Sequence, residues 1–122
     1  MAMKEEIEEI LASNGEFLAG GRCLEAAIDL KGPSVVERFI VDHGVLRNEH
    51  DNPRAVRITM TVTPEGWAML EDSDAVNITL NRLFRLGHVD FGDGLHDVMH
   101  HWSAFFWLTA ALRQALSGTS EV

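Results

Sequence analysis

Val56-Arg57-Ile58-Thr59-Met60-Thr61-Val62 alternates without a break, with Val56, Ile58, Met60 and Val62 on one side and Arg57, Thr59 and Thr61 on the other. Successive side chains of a strand point to opposite faces, so this stretch reads as a strand with one buried and one wetted face. Thr63-Pro64-Glu65 follows at once. It supplies a capping hydroxyl, a proline where a helix has no use for an N–H, and an acid at the positive end of the helix dipole. A short helix carrying Trp67 and Leu70 is expected there.

Upstream, Leu24, Ala26, Ile28 and Leu30 alternate with Glu25, Ala27 and Asp29, a second strand with one buried face. Lys31-Gly32-Pro33-Ser34 is a turn signal, and residues 35–42 are rich in β-branched and aromatic types. Asp42-His43-Gly44 then reverses the chain toward Val45 and Leu46, which makes a hairpin. Residues 48–53 read as a polar loop. At the start of the chain, Ile7, Ile10, Leu11 and Leu18 fall near helical spacing behind Glu5, Glu6, Glu8 and Glu9. Asn14-Gly15 is a stop for that helix, with Phe17 and Leu18 left open to a further turn.

Downstream, Ser73 or Asp74 is expected to cap a helix over 75–86 bearing Val76, Leu80, Leu83 and Phe84, with Gly87 closing it. Val89 and Phe91 alternate with His88 and Asp90 as a short strand, ended by Gly92-Asp93-Gly94. A last helix runs over about 95–116. Consecutive strands followed by helices, with few long crossovers, point to an α+β fold. The expectation is a five-stranded, mainly antiparallel, curled sheet covered by helices, in one domain spanning 1–122.

The totals exclude several classes. Apolar residues are 46% of the 122 and charged residues 24%, which is globular composition. The net charge of -9, with arginines scattered along the chain, opposes binding to nucleic acid. A single cysteine, Cys23, permits no intramolecular disulfide, and the acidic first ten residues are the opposite of a signal peptide, so a cytoplasmic protein is expected. The apolar run 104–112 is shorter than the ~20 residues a bilayer requires, so no integral membrane segment is expected.

The last helix is unusually apolar. Leu95, Val98, Met99, Trp102, Phe105, Phe106, Thr109 and Leu112 share one face, while Trp107, Leu108, Ala104, Ala111 and Ala115 add a second. Such a stripe is ordinarily core. Its sharper reading is a roof over an apolar cavity, with the other face meeting the N-terminal helix or a second subunit.

Three segments, in order, resemble the sterol carrier protein type 2 domain, a lipid-binding family. They are Val36-Glu37-Arg38-Phe39-Ile40-Val41-Asp42-His43-Gly44, then Ala55-Val56-Arg57-Ile58-Thr59-Met60 with the helix from Trp67 to Leu70, then Leu83-Phe84-Arg85-Leu86-Gly87-His88-Val89-Asp90-Phe91-Gly92-Asp93. The resemblance covers roughly 24–106 and implies a five-stranded sheet and helices around an apolar tunnel. On it, Met60, Val62, Trp67, Leu83, Phe84, Phe91, Met99, Trp102 and Phe106 would face the tunnel. The longer helix at 75–86 and the Trp- and Phe-rich C-terminal helix depart from the family pattern and bear on the tunnel's size and its open end.

The competing chemistry is thin. His96 and His100 stand four apart on a helix beside Asp93, Asp97 and His101, a spacing that could bind zinc or iron, but no third ligand is set by spacing. Cys23 and Ser103 lie in no nucleophile motif and are expected to be buried or inert. The sequence therefore points to a non-catalytic carrier or presenter of an apolar, lipid-like small molecule, held between the sheet and the C-terminal helix, without cofactor or metal. The alternatives are an interaction module, forming a homodimer through the C-terminal helix or docking on an enzyme, and then a small His-based metalloenzyme.

Overall fold

A computed structural model describes residues 3–47 and 56–118. The loop expected at 48–53, and Ala55 of the second family-like segment, lie outside the described residues. Helices α1 (Met3–Ala12) and α2 (Gly15–Gly20) lead into strands β1 (Glu25–Lys31), β2 (Val36–Asp42), β3 (Val45–Arg47) and β4 (Val56–Val62). Helices α3 (Pro64–Glu71) and α4 (Leu80–Arg85), strand β5 (Val89–Asp90), a 3-10 turn (Gly92–Gly94) and helices α5 (Leu95–His100) and α6 (Trp102–Ser117) follow. The fold is α+β, as the sequence indicated.

The open sheet has the order β3-β2-β1-β4-β5. Three of its pairings are antiparallel, and β1 with β4 is parallel. The register aligns Ala26 and Ile28 with Val41 and Phe39 on one side and Ile28 and Leu30 with Ile58 and Met60 on the other, so one face is apolar apart from Glu37 opposite Leu30. The helices pack on that face, and Leu11, Phe17, Ile28, Phe39, Met60, Leu70, Leu83, Phe105 and Leu112 are part of one continuous core. The opposite face carries charge: Arg38 Nε and Nη2 donate to the two oxygens of Asp29, directly across the ladder, at 2.6 and 3.1 Å.

Local signals account for most element ends. Thr63 caps α3, its hydroxyl accepting from the Gly66 N–H at 3.0 Å with Pro64 in the first turn. Asn14 caps α2 by accepting from the N–H groups of Glu16 and Phe17, so Asn14-Gly15 ends one helix and starts another, and Phe17 and Leu18 belong to the second.

Two expected helices are corrected. The one expected at 75–86 is confined to Leu80–Arg85 and capped by Thr79 rather than by Ser73 or Asp74. Asn77 has φ +58, which no right-handed helix can include, and the buried Arg113 draws the carbonyls of Asp72 and Ala75 to its guanidinium. The last helix is broken at His101 (φ −128, ψ 33) into α5 and α6, and Gly118, with φ +74, ends α6. Helix α6 packs against α1, α2, α3 and α4. Of its second apolar face, Ala104, Leu108 and Ala111 are buried within the chain, while Trp107 and Ala115 stay partly exposed.

Candidate functional site

A cluster of aromatic rings from α4, α6 and the segment after β5 lies on the C-terminal side of the fold. Phe91 lies 6.1 Å from Phe84, 6.3 Å from Trp102 and 5.6 Å from Phe105, centroid to centroid, and Phe84 lies 5.4 Å from Trp102. Such separations are direct contact for aromatic rings. Asn81 on α4 accepts from the Trp102 indole N–H, which ties the two helices together over this cluster.

Of the nine residues that the family resemblance would place on a tunnel wall, the structure brings Phe84, Phe91 and Trp102 into mutual contact. Met60 and Val62 are buried on the inner face of β4, and Leu83 is buried on α4. Trp67 lies over the β1–β2 turn, where a Cβ on Gly32 would stand 2.7 Å from its ring, so only glycine admits the indole there. Phe106 is half-buried, its ring 5.2 Å from Trp107. Met99 differs from expectation: it is 59% exposed, because the break at His101 turns the outer face of α5 to solvent.

An apolar opening lies elsewhere, between α1, α2 and the β2–β3 hairpin. It is a groove of about 520 Å³, within the ~300–1,000 Å³ usual for small-molecule sites. Leu11 and Phe17 form its buried floor, while Leu18, Val45 and Leu46 form its apolar sides. Leu18 (36%) and Val45 (49%) remain exposed. Glu8 and Glu9 stand on the α1 side. Gly44 shapes the groove's corner: its φ is +84, and a Cβ there would meet the Leu18 carbonyl oxygen at 2.7 Å. Because no side chain intervenes, the hairpin tip seats directly on the C-terminal end of α2.

None of these residues stands out as a site in the sequence. The one legible signal is the Asn14-Gly15 break, which detaches Phe17 and Leu18 from α1. That they face Val45 and Leu46, about thirty positions on, is a tertiary fact.

The polar candidates resolve differently. His96 and His100 are adjacent on exposed α5, ring centroids 4.6 Å apart, without a third ligand gathered around them among the described residues. The side chains that do converge are Glu25, Asp42 and His43, within 4.8 Å of one another. Glu25 and Asp42 face each other across the β1–β2 ladder, a repulsive arrangement on its own. His43 lies between them, Nε2 2.9 Å from Glu25 and Nδ1 2.7 Å from Asp42, and Arg47 Nε donates to the other Asp42 oxygen at 2.7 Å. The contacts of His43 and Arg47 hold the Asp42 carboxyl below its usual range. Cys23 and Ser103, expected to be buried or inert, are both exposed. Cys23 shares a hollow of about 220 Å³ with Asp97 and His101, and among the described residues no hydrogen bond joins the thiol to either. A thiol without such a contact lacks the adjacent base that makes a nucleophile.

No family model matches the chain, and no curated protein matches it. Among solved structures, the chain is similar to a solution structure of a conserved hypothetical protein from Thermus thermophilus, described as a possible sterol carrier protein. The two superpose with a TM-score of 0.66 at 12% identity, over 98% of this chain and 90% of that one. At that identity the likeness is one of fold. No described helix is long and apolar enough to cross a membrane.

Proposed function

We propose that this chain, folded as that neighbour is folded, is a member of the sterol-carrier-like group that binds a small apolar molecule without catalysis, as a carrier or presenter. The observation that carries the reading is the groove floored by Leu11 and Phe17 and flanked by the exposed Leu18 and Val45. Each methylene moved from water onto such a wall contributes ~0.8 kcal/mol. Ordering and association oppose this, so a chain of about ten carbons, with about 8 kcal/mol of gross burial, binds more weakly than micromolar. The fold likeness to a possible sterol carrier protein supports a role in carriage.

In this reading Met60, Val62, Trp67, Leu83, Phe84, Phe91, Trp102 and Phe106, none of which lines the groove, belong to the core and its border. Binding begins at the groove. The test is titration with the neutral fluorophore N-phenyl-1-naphthylamine. A saturable rise in emission is expected, abolished in Leu18→Asp and Val45→Asp, whose exposed positions leave thermal stability nearly unchanged. Absence of saturable binding in the unaltered protein, together with no apolar compound in solvent extracts of it, would overturn the reading.

A further inference from the structure

The rim of the groove carries charge of one sign. Glu8 and Glu9 line it from α1, and among the described residues no lysine, arginine or histidine lines it. Glu8 lies one helical turn from Leu11 and Ala12, so it shares their side of α1 and lines the groove with them. Among the described residues neither carboxylate is ion-paired. On the adjoining hairpin the basic side chains are engaged elsewhere, since His43 and Arg47 both contact Asp42. The whole-chain charge of -9 adds a field of the same sign.

We infer that the groove takes a cationic amphiphile, an alkyl chain with an ammonium-type head, in preference to a fatty acid or other anionic lipid; this rests on the groove being the binding site proposed above. The alkyl chain would lie on Leu11, Phe17, Leu18 and Leu46, and the head group would sit at Glu8 and Glu9. A carboxylate head in that position would face two like charges, with Lys4 one helical turn from Glu8 but outside the groove lining among the described residues. Exposed charge pairs are individually weak, so two carboxylates acting on one head give about a three- to tenfold preference over an uncharged head at low salt. The preference must shrink as salt rises, because the Debye length falls to ~3 Å at 1 M.

The experiment is displacement of N-phenyl-1-naphthylamine by three ten-carbon probes below their micelle concentrations: decyltrimethylammonium, decyl maltoside and decanoate. The expected order of affinity is cation, neutral, anion. The Glu8→Gln/Glu9→Gln double variant should lose the order while keeping neutral-probe binding. The Glu5→Gln/Glu16→Gln double variant, which makes the same change in net charge away from the groove, should keep it. Equal affinities, an anion bound best, or the same loss in both double variants overturns the inference and leaves the groove standing as an apolar site. If the fluorophore itself fails to bind the unaltered protein, the functional proposal fails first, and the inference with it.

Discussion

Gly44 rests against Leu18 with no room between them, and both line the groove: a methyl on the Gly44 Cα would stand 2.7 Å from the Leu18 carbonyl oxygen. The contact joins the hairpin tip to the end of α2, and so couples the angle of the β2–β3 hairpin to the groove's width. Gly44→Ala must strain a backbone at φ +84 and push the hairpin off the helix. The expected cost is about 1–3 kcal/mol in a urea unfolding curve, with weaker binding of the neutral fluorophore. An unchanged midpoint and unchanged affinity would show that the hairpin moves freely.

Phe91 touches Phe84, Trp102 and Phe105 and is almost wholly buried. Phe91→Ala should destabilise by about 3–5 kcal/mol, as large-to-small changes in packed cores do. Fluorophore affinity in the folded fraction should not change, because the groove lies at the β2–β3 end of the sheet, away from β4 and β5. A gain in affinity or in stoichiometry would place the ligand between β4 and α6 instead.

Arg113 is buried on α6, where Nη2 donates to the Asp72 carbonyl at 3.1 Å and also to the Ala75 carbonyl. It pins the non-helical connection 72–79. Arg113→Met keeps much of the volume but removes these charge-assisted bonds, worth about 1.5–3 kcal/mol each in comparable cases. Limited proteolysis should then cut within 72–79 faster than in the unaltered chain.

Asp29 and Asp42 are both held below the 3.8 usual for an aspartate, Asp29 chiefly by the hydrogen bond from Arg38 and Asp42 chiefly by those from His43 and then Arg47. A carboxyl whose folded-state pKa is depressed adds stability that is present above its unfolded value and lost as pH falls through the folded one. Thermal midpoints should therefore drop from about pH 4 downward. The drop should be shallower in Asp29→Asn and in Asp42→Asn, since an amide has no proton to take up. Parallel acid limbs in all three proteins would remove both pairs from the account of acid stability.

The strands are legible because a period of two has one structural meaning: Leu24 to Leu30 and Val56 to Val62 appear almost as read, and so do the turn at Gly44 and the Thr63 cap. Two helices depart from their sequence signals for identifiable reasons. Ser73 and Asp74 are good caps in isolation, but Thr79 is also one, and Arg113, more than thirty residues away, decides between them by binding the intervening carbonyls. The apolar run from Leu95 to Leu116 contains no glycine or proline to announce the break at His101. Periodicity consequently places Met99 on an inner face that α5 does not share with α6.

Alternation, capping chemistry, composition and charge are local or additive properties, and from them the chain alone determined the α+β class, the strands, the acidic character and the apolar final helix. Whether that helix roofed a hollow was beyond them. Filling a volume depends on how side chains from distant segments meet. Phe84, Phe91, Trp102 and Phe105 meet one another from separate segments, while Leu11, Leu18 and Val45 leave a groove beside α1. Packing is a many-body outcome of distance and shape, so which volumes stayed open was decided only when the helices docked on the sheet.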